Sequence, residues 1–568
     1  MKFTNHLQRS SILTGLALGL ALAMCAPSAR ANVYASNIKI NGVLTGSASV
    51  AQGSSANISY ILNEPASLGL EIQIFSGTNA VRAIVIVGGL SGTSQGLNTV
   101  PWDGKKDDLI TYVPPGNYSV VITAASNGYL DWTQIQTNTN TKVYWPTGIA
   151  VDTSTNSPYY GRVMVANGVS TANNVAPHPV GIVKFNADGS EADEGQSNAG
   201  HTFRTDTGNG DSIRSVKYGT DDRVYFNDWI GDGKVIACDM IMSTNQTIVD
   251  CDLNPTLSAL AYGMSDIDVT DPGTTNAMVW LADWDYGGAG VYAFPMTNNG
   301  VADSTSAGIH MVTQGPDVPV RSGPGLKIDN NGDIFIGDIR ANLGDTAPKV
   351  SCITNVWGGS FGYPTNWWNN DNNSGAGFPI TGQNLGWQAG AVSDNSWEDV
   401  SDVSFDSRAN PTNVSVVFSG STGGMKILNA ADGTVVTNIL QNSTTFYIGT
   451  GWDNVGNVYA GTAAHTWHAF SPPGANQAVT PAVVTVQVVV PPTPLHITSI
   501  TDSGGTVTIK FVGNASDPSS AFTLLNSATV SPQSSYTPAA GATITGSAGS
   551  YTATVPTSGA IEFYRIKR

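Results

Sequence analysis

The 568-residue sequence predicts an all-β protein in which a series of small sheets is flanked by two further β modules. Two observations predict this fold class. Only 12% of the residues are charged while 63 are Gly, so long amphipathic helices stabilised by ion pairs are not expected, and this composition favours strands and turns. A short β-rich motif, ending in a small residue and often in Asp or Asn, also recurs six times, which indicates a repeat architecture. The copies are residues 162–167, 223–228, 278–283, 333–338, 414–419 and 457–461.

The first 31 residues have the pattern of a secretory signal peptide. Lys2 and Arg9 precede an apolar run, and residues 29–31 read Ala-Arg-Ala, a typical cleavage site. The apolar run is too short to span a bilayer, and no later segment has 18 consecutive apolar residues. The sequence therefore predicts an exported protein without a transmembrane segment, located outside the cell or at its surface, with the periplasm as the alternative.

The charge balance excludes a nucleic-acid partner. The net charge is −17, and cleavage after Ala31 would remove three basic residues and no acidic one, giving −20. Binding to phosphates requires an excess of Lys and Arg. An acidic exported protein is instead compatible with cation binding, so Ca²⁺ is the cofactor that the sequence suggests.

Residues 32–138 are predicted to form the first β module. Three alternating runs, 56–62, 68–75 and 117–123, have the period of half-buried strands. Residues 102–104 read Trp-Asp-Gly, and a Pro-Gly turn at 115–116 leads into Tyr118. This order of motifs resembles the Ig-like domain of the FlgD family. The resemblance implies a β-sandwich that serves as a spacer or assembly module and carries no catalytic residue.

Residues 140–490 contain the repeats. A second motif, Gly-φ-x-φ-Asp (φ, apolar), precedes most copies, as at 146–152 and 324–329, and a third strand follows some of them, as at 181–189. This order resembles the blades of NHL-type β-propellers. We expect six blades, with seven as the alternative if the region of Ile182 or Val483 supplies further strands. The apolar run 483–490 is the candidate for the strand that closes the ring.

A Pro-rich linker at 491–496 and a C-terminal β module at 497–568 complete the chain. The last module has four strand-like runs and is expected to form a small β-sandwich.

The longest interval between copies separates Asp338 from Ser419 and holds a Trp-rich insert at 353–398. Five of the 13 Trp residues lie here among many Gly and Asn. Long loops without periodicity are often functional, and aromatic faces beside amide groups suit sugar rings. A cluster of buried aromatics beneath a loop is the alternative. The candidate glycan-binding residues are Trp357, Tyr363, Trp367, Trp368, Trp387 and Trp397.

Three copies of the motif end in Asp, namely Asp228, Asp283 and Asp338. In a ring of sheets, equivalent positions lie on one face, so these carboxylates could hold Ca²⁺ or act as acid and base. The alternative is a structural role as turn acceptors. Two Gly-x-Ser-x-Gly matches lack the following helix that a nucleophile elbow requires, so no catalytic residue is assigned.

Cys238 and Cys251 are separated by 13 positions with strand-like runs between them, so in an exported protein they are candidates for a disulfide. Cys352 would be left over.

These features together favour an exported binding or scaffold protein that recognises a glycan or a surface protein over an enzyme. The first alternative is a propeller enzyme that acts on sugars or lactones with Ca²⁺ and channel carboxylates. The second is a structural component of the surface or matrix.

Overall fold

The structure is a computed structural model. It describes residues 32–136, 138–139, 141–168, 178, 180–203, 213–228, 233–251, 264–283, 290–296, 309–313, 325–329, 332–337, 349–353, 385–390, 399–406, 413–419, 424–439, 447–462, 464–491, 493–557 and 562–568. The predicted signal peptide at 1–31 lies outside these residues. The described residues form an all-β fold, in which the only helices are two 3₁₀ turns, and none of their helices is long and apolar enough to cross a membrane.

Contacts divide the chain into two compact units, which are described separately. The first comprises the described residues of 32–48, 55–111 and 117–487, and the second comprises those of 49–54, 112–116 and 488–568.

The chain begins with seven strands. These are β1 Ala35–Ile40, β2 Ser47–Ala51, β3 Ala56–Leu62, β4 Gly69–Ser76, β5 Asn79–Val87, β6 Gly96–Trp102 and β7 Gly116–Tyr129. One sheet has the order β1-β3-β6, and in a second sheet β4 lies between β5 and β7.

Alternating side chains of these strands are buried between the two sheets. Trp102 of β6 contacts Tyr118 of β7 edge-on, with ring centroids 5.9 Å apart. The Trp102 indole N–H donates to the carbonyl of Lys105 at 3.0 Å across the turn at Asp103 and Gly104. Gly104 has φ +73°, a conformation that glycine adopts without steric cost. The Trp-Asp-Gly motif therefore fixes a turn beneath which the indole is buried.

Six antiparallel sheets follow. Their strands are β8 Thr133–Gln134, β9 Pro146–Val151, β10 Val163–Asn167, β11 Gly181–Phe185, β12 Ile213–Tyr218, β13 Arg223–Asp228, β14 Lys234–Asp239, β15 Asn245–Asp250, β16 Met264–Thr270, β17 Met278–Asp283, β18 Gly290–Pro295, β19 Ile309–Thr313, β20 Leu326–Ile328, β21 Ile334–Gly337, β22 Lys349–Ile353, β23 Leu385–Gly390, β24 Asp399–Phe405, β25 Asn413–Ser419, β26 Gly424–Asn429, β27 Val435–Ile439, β28 Tyr447–Trp452, β29 Val458–Thr462 and β30 Thr466–Ser471.

These sheets have the topology of a β-propeller. The first has the order β11-β10-β9, and the next four each contain four consecutive strands in chain order. The sixth has the order β28-β29-β30-β8, so its outermost strand comes from the beginning of the repeat region. The inner strands contact one another in the closed cycle β9, β12, β16, β20, β24, β28 and back to β9. Each copy of the repeated motif is the second strand of its sheet, as the sequence pattern predicted.

The ring closes differently from the expectation. The short strand β8 completes the sixth sheet by pairing Gln134 with Phe470. The chain then continues into β31 Gly474–Pro481 and β32 Thr485–Val489, and both join β7 in the N-terminal sheet. The expectation that 483–490 closes the ring is therefore wrong, because β8 already occupies the outer edge of the last sheet. The repeat region also ends earlier than residue 490.

The core of the ring consists of apolar side chains between neighbouring sheets. One cluster joins the first and second sheets through residues such as Met164, Ile182 and Phe226. The next joins the second and third sheets through residues such as Tyr225 and Leu281. Strands in such a ring are buried on both faces and so read as continuous apolar runs.

The second unit contains most of the C-terminal module. Its strands are β33 His496–Ser503, β34 Thr506–Val512, β35 Thr523–Ser527, β36 Thr537–Pro538, β37 Thr543–Ser547, β38 Ser550–Pro556 and β39 Phe563–Lys567. They form two sheets, β33-β34-β38-β37 and β36-β35-β39. Phe511, Phe522 and Tyr551 lie at the centre of their common core.

Candidate functional site

A cavity of about 400 Å³ lies where the six inner strands of the ring come together. All six strands contribute, each through its last residues, so the cavity lies on the ring axis at the end where the inner strands finish. Its size is within the range of small-molecule sites. It is lined by residues 149–151 of β9, 217–218 of β12, 269–270 of β16, 327–328 of β20, Ser404 of β24 and 450–452 of β28.

Carboxylates bridge three neighbouring inner strands on one side of this cavity. Asp266 of β16 contacts the ammonium of Lys217 on β12 at 3.2 Å and accepts the Leu326 backbone N–H of β20 at 2.5 Å. Residues two apart on a strand share a face, so Asp268 points toward β20 as well. We call strands β12, β16 and β20 the charged arc.

Asp268 makes the second bridge of the charged arc. It contacts the Lys327 ammonium at 2.6 Å and accepts the Ile328 backbone N–H at 2.8 Å. Both carboxylates are buried, and burial raises the pKa of Asp266 while the Lys217 ammonium opposes that shift. Each carboxylate thus satisfies a backbone amide at the inner edge of a sheet and holds one lysine at the cavity.

Glycines join the inner strands on the other side. A Cβ atom on Gly451 of β28 would lie 2.5 Å from the Ile149 carbonyl oxygen of β9, and one on Gly148 of β9 would lie 2.9 Å from the Val216 nitrogen of β12. Only glycine allows backbones to approach this closely. We call β28, β9 and their contact with β12 the glycine arc.

The rim of the cavity is formed by the turns that follow the inner strands. Thr153, Thr220, Asp271, Asp329, Asp406 and Asn454 all contribute to it. Several Asp residues of the Gly-φ-x-φ-Asp motif serve these turns. Asp329 accepts the Asp333 N–H at 2.8 Å, and Asp453 accepts three consecutive backbone N–H groups, from residues 455 to 457. The motif therefore encodes Asx-type turns.

Asp152 ends β9 at the boundary between the two arcs. It is fully buried and accepts the Ser154 N–H at 2.9 Å. Burial raises its pKa to about 6, although Ser157, Ser154 and the Tyr218 hydroxyl act to lower it. Its neighbours Val151 and Thr153 line the cavity, whereas Asp152 does not, so its carboxyl group is buried behind the cavity wall.

The donor set of the cavity suits a ligand rich in hydroxyl groups. Its lining residues offer ammonium N–H donors, Thr and Ser hydroxyls and carboxylates. Each lysine is paired with a buried aspartate, so the ammonium groups can donate hydrogen bonds without making the site cationic. Among the described residues, no group of three or more His, Cys, Asp or Glu side chains is arranged to hold a metal ion.

The structure places the predicted carboxylates away from this cavity. Asp228 and Asp283 pair with Ile213 and Met264, the first residues of the inner strands β12 and β16, so they lie at the opposite end of the sheets. Asp228 is buried, with its Oδ2 atom 2.9 Å from Nε2 of His201. Asp338 lies outside the described residues, and the Ca²⁺ role of these three residues stays a prediction.

The predicted glycan-binding residues fall almost entirely outside the described part of the chain. Trp387 lies on β23, where it pairs with Cys352, and only its backbone is described. The remaining candidates, Trp357, Tyr363, Trp367, Trp368 and Trp397, lie outside the described residues. Their role stays a prediction.

The predicted disulfide between Cys238 and Cys251 is absent, and both residues are buried thiols. Cys238 packs in the cluster between the first and second sheets, whereas Cys251 packs in the cluster between the second and third. The two side chains therefore lie on opposite faces of one sheet. Burial raises the pKa of the Cys238 thiol to about 12, which makes it an unreactive core residue.

The sequence interpretation missed the Lys–Asp bridges of the charged arc. A signal was present, because Asp266 and Asp268 alternate within one inner strand and Lys217 and Lys327 lie at matching points of the neighbouring strands. Their pairing depends on strands some 50 residues apart, which a local pattern does not show.

No family model matches this chain, and no curated protein matches it. Several solved structures match this chain.

The streptogramin B lyase structure is 12% identical, matches 61% of this chain and 100% of its own, and has a TM-score of 0.34. The soluble aldose sugar dehydrogenase from Escherichia coli is 10% identical, with 62% and 99% covered and a TM-score of 0.37. A glucose dehydrogenase is 10% identical, with 60% and 98% covered and a TM-score of 0.38. At these identities and TM-scores the similarities assign no function to this chain.

Proposed function

We propose that this is an exported binding protein that holds a neutral, hydroxyl-rich ligand, such as a saccharide, in the axial cavity. In this proposal the ring is a six-bladed, NHL-like propeller, the N-terminal sheets form an Ig-like sandwich and the C-terminal module is a second sandwich. The signal peptide takes the protein outside the cell or to its surface.

One observation carries the proposal: residues from all six inner strands line a single cavity of about 400 Å³. A site on the axis is held by every sheet of the ring, so its walls are preorganised, and preorganised walls reduce the entropic cost of binding. Hydroxyl, carboxylate and ammonium groups are complementary to sugar hydroxyls, and Val151, Val269 and Ile328 add apolar residues to the lining.

The charges of the site favour a neutral ligand over an anionic one. Lys217 and Lys327 are neutralised by Asp266 and Asp268, and the rim adds Asp271, among other carboxylates. The whole chain is also acidic, with a net charge of −17. Among the described residues that line the cavity, both lysines are paired with an aspartate, so an anionic sugar would meet a field that disfavours it.

The test is a glycan array with the mature protein, followed by calorimetric titration of the best neutral ligand. Thr220 is exposed on the rim, so Thr220→Trp should fold and block the entrance, reducing affinity by about a hundredfold or more, roughly 2.7 kcal/mol. Thr244→Trp, on an exposed turn of the second sheet, is the matched control and should bind like wild type. Equal binding by Thr220→Trp, or the absence of any neutral ligand, would overturn the proposal.

The Trp-rich insert is the competing location for a glycan site. A Trp367→Ala/Trp368→Ala double variant distinguishes the two. If it loses binding while Thr220→Trp retains it, the ligand occupies the insert and the cavity proposal fails.

A propeller enzyme that acts on sugars or lactones is the second candidate function, and Asp152 is the observation that favours it. A carboxyl group with a pKa near 6 is suited to proton transfer close to neutral pH, and Asp152 lies between Val151 and Thr153, which both line the cavity. This candidate function requires that the protein turns over the bound ligand and that the Asp152→Asn variant no longer does so. Ligand recovered chemically unchanged after prolonged incubation would exclude it.

A further inference from the structure

The N-terminal sheets meet the last sheet of the propeller in a buried polar cluster. The Asn32 carbonyl oxygen accepts from the side-chain amides of Asn63 at 2.7 Å and Asn457 at 2.9 Å. The Asn32 side-chain amide donates to the Pro472 carbonyl at 2.9 Å. These bonds tie the start of the chain to the turn after β28 and to the end of β30.

Several oxygen atoms in this cluster have no hydrogen-bond partner. They are both carboxyl oxygens of Glu64, the Oδ1 atoms of Asn32 and Asn457, and the hydroxyl oxygen of Ser471. All four residues have 0% relative exposure. Buried polar groups are normally satisfied, and leaving one unsatisfied costs free energy. Five unpartnered oxygen atoms thus belong to one junction.

The unpartnered atoms are mostly pure acceptors. Carboxylate and amide oxygens accept hydrogen bonds and ligate cations, but they cannot satisfy one another. None of the ion pairs of the described residues includes Glu64. Tyr129, Ser471 and Asn476 lie close to its carboxyl group, yet none of them makes a hydrogen bond of normal length and angle with it. The side-chain nitrogen of Asn476 is also unpartnered, but the four carboxylate and amide oxygens outnumber this donor, which favours an occupant with positive charge.

We propose that this junction binds a hard cation, Ca²⁺ or Na⁺, through the carboxylate of Glu64 and the amide oxygens of Asn32 and Asn457. Ser471 supplies a fourth protein ligand, and water completes the shell. Hard cations take carboxylate, amide and hydroxyl oxygens of this kind. The site differs from the predicted carboxylate ring, because it uses one carboxylate and neutral oxygens and lies where two parts of the first unit join.

The ligand set predicts weak binding and a structural role. With a single carboxylate, Ca²⁺ should bind in the range of extracellular modules, about 10⁻⁴ to 10⁻³ M. A cation held by Asn32 and Glu64 on one side and by Asn457 on the other would clamp the N-terminal sheets to the propeller. A cation that binds the folded chain and not the unfolded chain raises the melting temperature.

The first experiment follows Tb³⁺, a luminescent hard cation, with the full mature chain stripped by a chelator. Tyr34, Tyr160 and Tyr459 lie beside the junction and can sensitise its emission. We expect saturable emission that excess Ca²⁺ displaces. Glu64→Gln should lose this emission. Glu71 is a partly exposed carboxylate on β4 of the same module, so Glu71→Gln should keep the emission. Equal emission from Glu64→Gln and wild type would overturn the proposal.

The second experiment keeps the proposal testable if Glu64→Gln does not fold. Melting temperatures of the stripped wild-type chain are measured in CaCl₂, NaCl and KCl at equal ionic strength. A rise of a few degrees with Ca²⁺ alone assigns the divalent ion, and a rise specific to Na⁺ assigns the monovalent one. Identical melting curves in all three salts would contradict the proposal. A crystal structure would also contradict it if, after a Tb³⁺ soak, the junction showed no anomalous peak and held only a hydrogen-bonded water molecule.

Discussion

Neighbouring inner strands of the ring are joined in two different ways. In the charged arc, Asp266 and Asp268 reach from β16 to the backbone of β20 and each pairs with a lysine. In the glycine arc, Gly148 and Gly451 allow β28, β9 and β12 to approach backbone to backbone. The charged arc thus places the ammonium groups of Lys217 and Lys327 at the cavity, whereas the glycine arc contributes uncharged residues such as Thr153 and Asn454, so the ammonium groups come from one side.

The difference shows how a repeated fold gives an asymmetric site. The repeated motif builds equivalent sheets, but the residues at the inner edge are not repeated, and they decide which groups face the axis. The following predictions test this contrast, from the largest expected effect to the smallest.

Asp266→Ala should destabilise the fold most. It leaves the Lys217 ammonium and the Leu326 N–H buried without their carboxylate, and breaking a buried pair in this way costs about 3–5 kcal/mol. Chemical denaturation measures the loss. Asp250→Ala is the matched control, because Asp250 on the outer strand β15 is 3.9 Å from Lys234 and partly exposed, and it should cost less than about 1 kcal/mol. A similar loss of unfolding free energy in both variants would show that the Lys–Asp pairs of the charged arc stabilise the fold no more than an ion pair at the outer edge of a sheet.

Asp152, at the boundary between the arcs, should make the unfolding free energy depend on pH. Its pKa rises from 3.8 to about 6 on folding, so the folded chain binds the proton more tightly than the unfolded chain. The stability from this proton is complete below about pH 4 and is lost as pH rises through 6, by up to about 3 kcal/mol.

The measurement is the unfolding free energy of wild type minus that of Asp152→Asn between pH 4 and 7. Asn keeps the acceptor for the Ser154 N–H and cannot ionise. The difference should fall as pH rises. A difference that is constant with pH would show that Asp152 titrates normally.

Gly451→Ala tests the glycine arc. The new Cβ would lie 2.5 Å from the Ile149 carbonyl oxygen, so β28 and β9 must separate, at a cost of about 1–3 kcal/mol. Gly451→Ser should cost more, whereas Thr244→Ala on an exposed turn should change stability by less than about 0.5 kcal/mol. An unchanged melting temperature for Gly451→Ala would mean that the two strands are not held in close contact.

Asp271→Ala separates binding from stability on the charged arc. Asp271 is exposed at the rim after β16 and has φ +47°, a conformation that Asp adopts more readily than Ala, so its replacement should lower the unfolding free energy by about 1 kcal/mol. Removing one charged hydrogen-bond acceptor should lower saccharide affinity by about tenfold, roughly 1.4 kcal/mol. Calorimetry of the folded variant checks both values, and unchanged affinity would place the ligand away from this rim.

Local patterns predicted the strands and turns of this protein well. The run 56–62 coincides with β3, the repeated motif marks the second strand of each propeller sheet, and Trp102 lies under its turn as expected. These features depend on residues close together in sequence, where periodicity and turn chemistry act directly.

The pairings that the sequence did not predict are long-range. β8 joins β30 across more than 300 residues, and β31 returns to β7. The Lys–Asp bridges and the buried cluster around Glu64 likewise unite side chains from distant strands. Nothing in a local pattern distinguishes Asp266, which bridges strands, from Asp453, which caps a turn.

The most direct test of the account is a crystal structure of the mature protein with the neutral saccharide chosen by the array. The account predicts density for the sugar in the axial cavity, with hydroxyl groups bonded to Lys217 or Lys327 and to the rim at Asp271. Density for the sugar on any other surface, with the cavity holding only solvent, would contradict it.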